Sequence, residues 1–313
     1  MAKEIRSLSD LRLGLISSHR SRVEVMRRRQ DFRISTGDMT MSVPAFATKL
    51  EDYSRKYADY LLFRREDGIL EVRMHTNNGP MKWGAESHHV LIPALFDINA
   101  DPETEVVILT GTGDSFLREF DAESLQREGY LDADRLNERQ AYDLFYQDQT
   151  RGPFMLLDLR MPVIAAINGP IHFHPELALL NDIVIASNNT YFYENHWDNV
   201  GLVPGDGVHT LFRELLGHNR GRYFLLMGQK IEAEEALRLG LIGEVVSPDE
   251  LLPRAWEIAR KVFMSKDRIH RRLTRSLLIQ PWRELFTKEL FSGMAHESFA
   301  CMARWPRPRK GQY

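Results

Sequence analysis

Between residues 105 and 186 the sequence sets down three short apolar runs with helical segments between them. They are "EVVILTGTG" (105–113), Val163–Ile167 within "PVIAAING", and residues 183–186 within "DIVIAS". Apolar runs of this length without polar alternation read as strands covered on both faces. Strands that alternate with helices are joined by right-handed crossovers, so a mainly parallel sheet in an α/β fold is predicted. Upstream, "YLLFRRED-GILEVRMHT" reads as two strands joined at Asp67-Gly68, a hairpin signal. Helices are expected around 85–98, over about 133–157, from His174, and from near Gly207, with a short strand at 190–193. After Leu251 the segments "PRAWEIARKVFM", "RIHRRLTRSLLI" and "WRELFTKELFSGMAHESFACMA" read as consecutive helices without strands.

The 313 residues divide unevenly. Up to Arg33 there are nine Lys or Arg against four acids, including Arg27-Arg28-Arg29, and apolar periodicity is poor. Residues 1–45 are therefore expected to be a basic, mobile or loosely docked arm, with 46–255 as the core and 256–313 as a C-terminal helical region. Taken whole, the chain carries a net charge of −3, which argues against a dedicated nucleic-acid surface. Its single cysteine, Cys301, can form neither an internal disulfide nor a thiolate metal site, which fits a reducing, cytoplasmic setting. No apolar run reaches membrane-spanning length.

The stretch "MPVIAAINGPIHFHPELALLNDIVIAS" (161–187) puts His172 and His174 at a strand–turn–helix junction, where glycine is the natural residue. A histidine there can stabilise charge and also hand over a proton, because its ordinary pKa of about 6.5 keeps both forms available near neutrality.

The stretches "VVILTGTGDSF", "PVIAAINGP", "ELALLNDIVIAS", "GLVPGDGVHTLFRELLG" and "GLIGEVVSPDELLPRAWEIA" resemble the crotonase (enoyl-CoA hydratase/isomerase) superfamily in order, spacing and wording, over about residues 50–300. The resemblance implies a spiral of ββα units with a C-terminal helical trimerisation region, assembled as a homotrimer or a dimer of trimers. Ordinary members hold a CoA thioester carbonyl between two backbone N–H groups, one from each of two glycine-bearing turns, aimed at developing negative charge. Here the first turn reads "SFLREFD" and the second "IHFHPE". Bulky side chains occupy both, so side-chain imidazole is expected in place of backbone amide. This combination resembles the β-diketone hydrolase branch, typified by 6-oxocamphor hydrolase, which cleaves a carbon–carbon bond between two carbonyls and uses no CoA.

That resemblance implies a site residue by residue. "MKWGAESHHV" supplies Trp83 and His88, "NGPIHFHPE" supplies His174, "ENHWDNVGLVPGDG" supplies His196 and Asp206, and "SGMAHE" supplies Glu297. Glu119, Phe120 and Trp197 are implied substrate contacts. The branch places its histidine nine residues before the Gly-Asp-Gly aspartate, where this chain has Trp197. His196, ten before, is preferred because a bend absorbs one residue, whereas tryptophan cannot serve as a base. In the implied chemistry His196 activates water, with Asp206 fixing the far ring nitrogen. His174, assisted by His88, stabilises and protonates the enolate. Trp83 binds a carbonyl through its indole N–H, and Glu297 closes the site. No cofactor and no metal is required, and the expected partners are a small diketone and further copies of the chain, not nucleic acid or membrane.

His75, His89, His209, His218, His270 and His296 are expected to be surface or satisfied core residues, and His172 is left open. Two other readings remain at this stage. One is a divergent enzyme acting on acyl-CoA through Glu176, which matches a hydratase acid position. The other is a non-catalytic crotonase-fold or RNA-binding assembly, suggested by the basic arm.

Overall fold

The computed structural model describes residues 46–128, 142, 149–194, 196–197 and 201–303, with side chains to residue 300. The basic arm and most of the helix expected over 133–157 lie outside the described residues. Of that helix, Gln149–Asp158 is seen.

From Phe46 the chain forms α1 (Leu50–Lys56), then β1 (Leu61–Glu66) and β2 (Ile69–Met74). These strands pair antiparallel through Asp67 and Gly68, both at positive φ, as the Asp-Gly signal predicts. Next come β3 (Lys82–Trp83), α2 (Ala85–Ala100), β4 (Val106–Gly111), β5 (Glu119–Phe120), α3 (Ala122–Arg127), α4 (Gln149–Asp158) and β6 (Val163–Ile167). A single turn, α5 (Glu176–Leu179), leads to β7 (Ile183–Ser187) and β8 (Tyr191–Tyr193). The order closes with α6 (Val208–Leu216), α7 (His218–Met227), β9 (Lys230–Glu232), α8 (Ala233–Leu239), β10 (Glu244–Val246), α9 (Pro248–Ile258) and α10 (Arg268–Ala303).

Six strands form one sheet in the order β1-β2-β4-β6-β7-β10, parallel from β2 onward. Period-two alternation sorts its side chains. Leu70, Val72, Val107, Leu109, Val163, Ala165 and Ile167 join the larger core, which takes in α2, α4 and α6. Ile69, Val106, Ile108, Ile164, Ala166 and Ile185 join the second, against Leu251, Ala255, Trp256 and Ile258 of α9. Both faces are covered, which is why the strands read as unbroken apolar runs.

Two small sheets lie beside the large one and position the site. β3 pairs parallel with β5, setting Trp83 opposite Phe120. β8 pairs antiparallel with β9, and also holds the turn after β6, because Ile171 N–H donates to Tyr191 O (3.0 Å) and Tyr193 N–H donates to Ile171 O (2.9 Å).

One expectation is corrected. The two C-terminal segments expected as separate helices run as one helix of 36 residues, with Pro281 inside it. Proline ordinarily breaks a helix interior, but here the flanking turns are fixed by packing: Ile279, Phe286, Leu290 and Met294 are buried in the larger core. Buried Arg275 adds a second anchor, donating to Asp182 (2.6 Å) and to the carbonyls of Leu156 (2.7 Å) and Leu159 (2.8 Å). Among the described residues, no helix is long and apolar enough to cross a membrane.

Candidate active site

His174 occupies the turn between β6 and α5 with φ +48°. That left-handed conformation is the one glycine adopts freely and other residues rarely do, at roughly 1–2 kcal/mol. The backbone has thus kept a glycine-type turn and placed an imidazole on it. The side chain is 14% exposed, and its Nδ1 lies 2.7 Å from Glu176 Oε1 and 3.8 Å from Asp206 Oδ2. Burial pulls its pKa down, but the charges of Glu176 and Asp206 outweigh this and hold it above the ordinary histidine value.

Trp83 and His88 approach from the other side. Their rings lie 4.4 Å apart, and Trp83 is 4.3 Å and His88 5.3 Å from the His174 ring. The Trp83 indole N–H donates to His88 Nε2 (3.1 Å), and His88 Nδ1–H donates to the Gly84 carbonyl (2.8 Å). Both ring nitrogens of His88 are therefore engaged, and burial together with the neighbouring His174 lowers its pKa to about 3. This corrects two expected roles. The indole N–H is already given to His88, not presented to a carbonyl. His88 is a neutral brace for Trp83 and not a second proton donor.

His196 sits just beyond β8, buried, with its backbone N–H donating to Glu194 Oε1 (2.8 Å) and its Nδ1 in a very short contact with the same oxygen. Its Nε2 lies 3.5 Å from Asp206 Oδ2. Burial opposes its charge, but Glu194 and Asp206 raise its pKa well above the ordinary value. His196 thus has a carboxylate at each ring nitrogen, Glu194 at Nδ1 and Asp206 facing Nε2. Sequence reasoning missed Glu194. A signal was present: a carboxylate two residues from a histidine occurs in "ENH" as it does in "HPE".

Asp206 lies between the two imidazoles, just before α6. Its Oδ1 accepts from Val208 N–H (3.4 Å), while buried Oδ2 accepts no hydrogen bond among the described residues. Burial would raise its pKa, but His196 and His174 outweigh it, so the carboxyl stays ionised below its ordinary range. Glu297 arrives from α10 and accepts a hydrogen bond from Gly205 N–H (2.9 Å). Its approach depends on a pair of glycines. A Cβ on Gly205 would stand 2.1 Å from the Gly293 carbonyl oxygen, and one on Gly293 would stand 2.3 Å from that of Gly205. Burial and the charge of Asp206 push Glu297 up to about 8, so it carries a proton at neutrality.

Donor atoms of His174, Glu176 and Asp206, and of His196, Asp206 and Glu297, fall within 4.8 Å of one another. A cation could span such distances, but each histidine Nδ1 is already closed against a glutamate. The arrangement reads as a chain of acids and bases.

The other expected substrate contacts lie outside this buried cluster. Phe120 stacks near Phe173 (5.3 Å) and is partly exposed, Glu119 faces Arg118 (3.8 Å), and Trp197 is half exposed. His172 turns to Tyr191, its Nε2 2.9 Å from the phenol oxygen. Burial, with Lys230 and Arg118 nearby, lowers its pKa to about 4. His75 is a satisfied core residue between Ala58 O and Asn78 N–H, while His270 and His296 are exposed.

The fold has known counterparts. Residues 64–299 match the enoyl-CoA hydratase/isomerase family, and the chain belongs to that family, the crotonase superfamily. Within it, the chain is similar to a β-diketone hydrolase from the cyanobacterium Anabaena, solved with (S)-3-oxocyclohexyl acetic acid bound. The two are 38% identical, with a TM-score of 0.75, over 80% of this chain and 97% of that one. Crotonyl-CoA hydratase from Syntrophomonas wolfei is 32% identical over 185 residues, 58% of this chain and 67% of the relative. Carnitinyl-CoA dehydratase from Citrobacter koseri is 30% identical over 213 residues, 66% of this chain and 76% of the relative.

Proposed function

We propose that this chain is a CoA-independent hydrolase that cleaves the carbon–carbon bond between one carbonyl and the central carbon of a 1,3-diketone, giving a keto acid from a cyclic substrate and a carboxylic acid plus a ketone from a linear one. The observation that carries this reading is His174, an imidazole held at φ +48° on a glycine-type turn, 3.8 Å from an ionised aspartate. The likeness to the Anabaena hydrolase adds support, since the molecule bound there is itself a keto acid.

In the proposed reaction, Asp206 Oδ2 accepts a proton from water as the water oxygen adds to one carbonyl carbon. The charged His196, held by Glu194, faces the same point and stabilises the tetrahedral alkoxide, a fixed charge aimed where negative charge develops. Collapse of the alkoxide breaks the bond to the central carbon. That electron pair enters the second carbonyl as an enolate, and His174 donates its proton to the carbon. The proton taken by Asp206 passes back to His174 across their 3.8 Å separation. Water activation thus moves from His196, where the resemblance put it, to Asp206, because His196 is the more strongly charged group at rest. A placed acid or base of this kind contributes about 10²–10⁴ in rate. Glu297, neutral, closes the site without adding a second negative charge beside Asp206.

The α10 residues Ile269, Leu273, Leu277 and Leu278, each about two-thirds exposed, form an apolar face that supports assembly as a homotrimer or dimer of trimers.

The test is a panel of cyclic and linear 1,3-diketones, followed by loss of enol absorbance, run beside crotonyl-CoA hydration. Diketone consumption that is abolished in His174→Ala is the expected result. Hydration of the thioester with all diketones untouched would overturn the reading in favour of CoA chemistry at Glu176.

A further inference from the structure

Among the described residues, the groups that face His196 can be named. Glu194, at the end of β8, closes on Nδ1, while Asp206, before α6, stands 3.5 Å from Nε2. Glu297 from α10 and His174 from the turn before α5 complete the surroundings. Glu194 is itself 2% exposed, its Oε1 receives both the backbone N–H and the ring of His196, and its Oε2 has no hydrogen-bond partner among the described residues. Desolvating a carboxylate costs several kcal/mol unless a charge answers it, and His196 is the group that does so here.

The arrangement is symmetric about Asp206. On one side Glu176, two residues after His174, holds His174 Nδ1; on the other Glu194, two residues before His196, holds His196 Nδ1. The series is carboxylate, imidazole, carboxylate, imidazole, carboxylate. Its two halves are tied by backbone, since the turn that carries His174 and the strand that ends just before Glu194 exchange hydrogen bonds through Ile171, Tyr191 and Tyr193.

We propose that Glu194 is a positioning residue, which fixes His196 with Nδ1 protonated and Nε2 turned to Asp206, and so sets the geometry of the water-activating end of the site. The proposal rests on the hydrolase reading for its kinetic arm, but not for its spectroscopic one. Acting through His196, Glu194 should govern turnover and the titration of that ring, not substrate affinity. A merely structural glutamate would move neither selectively.

The experiment compares full-length wild type with Glu194→Gln and Glu194→Asp, each checked for folding by circular dichroism. Nitrogen NMR of the histidine rings follows His196 across pH, the signal assigned by its loss in His196→Gln. In wild type His196 is expected to hold its charge to well above the ordinary histidine midpoint. In Glu194→Gln that midpoint falls by roughly one pH unit or more. With a diketone substrate, kcat in Glu194→Gln falls on the order of 10²-fold with KM nearly unchanged, and Glu194→Asp recovers part of the loss. An unchanged His196 titration in folded Glu194→Gln overturns the proposal even if no diketone is ever turned over. An altered titration without diketone turnover upholds it and sinks only the hydrolase reading. Should Glu194→Gln fail to fold, Glu194→Asp carries the test, and the proposal is overturned if its titration and kcat match wild type.

Discussion

At the scale of single residues the site is made by small departures from what each position would otherwise hold. His174 accepts a left-handed backbone that glycine would occupy without strain. His174→Gly relieves that strain, worth about 1 kcal/mol, but leaves buried Glu176 without its partner, so a net loss of stability is expected. It should also lower diketone turnover by about 10²-fold or more, through loss of the proton donor. Denaturant unfolding and steady-state kinetics on the same preparation check both, and a variant that keeps full turnover would show that the imidazole is structural. His88 yields a prediction of a different kind. Its pKa is about 3 in the fold against an ordinary 6.5. Below 6.5 the unfolded chain takes up a proton that the folded chain refuses, so its contribution to stability is complete above 6.5 and shrinks as pH falls towards 3. His174 and His196, raised in the fold, have the opposite sign, full below 6.5 and lost as pH rises through their folded values. Comparing wild type with His88→Gln separates them. The difference in unfolding free energy between the two should decline by up to about 1.4 kcal/mol per pH unit between 6 and 4. A difference that stays flat across that range would refute the neutral brace.

At the scale of elements, what delivers the site is close approach. The turn before α6 and the last turns of α10 meet through Gly205 and Gly293, whose backbones leave no room for a Cβ. Gly205→Ala should push the two apart, break the Gly205–Glu297 hydrogen bond and destabilise the fold by about 1–3 kcal/mol. Thermal unfolding checks the stability change and kcat the site. Full activity with unchanged stability would mean that α10 does not depend on this contact. The length of α10 carries a lesson about reading elements locally. Pro281 and the polar residues around it break the pattern into two helices, but Ile279 before it and Phe286, Leu290 and Met294 after it bury on the same core, and burial outweighs the lost hydrogen bond.

At the scale of the whole molecule the exposed leucines of α10 matter most. Ile269, Leu273 and Leu277 recur every fourth residue, so they share one helix face and remain in solvent in a single chain. Light scattering is expected to return a multiple of the 36.4 kDa chain mass, and Leu273→Asp with Leu277→Asp together should shift it to a smaller species. A monomeric wild type would remove the assembly from the proposal.

Much of this was legible beforehand, for a physical reason. Strands buried on both faces tend to be continuously apolar, turns at positive φ favour Gly, Asn or Asp, and crossovers are right-handed, so β4, β6 and β7 and the Asp67-Gly68 hairpin could be read directly from residue order. The chemical residue types of the site could be read from likeness of wording. What could not be read was which nitrogen each histidine turns to which carboxylate. Glu194, His196, Asp206, His174 and Glu176 come from three separate stretches of the chain, and a hydrogen bond is decided over tenths of an ångström by how those stretches pack. Sequence therefore determined the framework and the cast of side chains. Only tertiary structure decided that Glu194 holds His196, that Asp206 stands between two charged rings, and that His88 is already spent on Trp83.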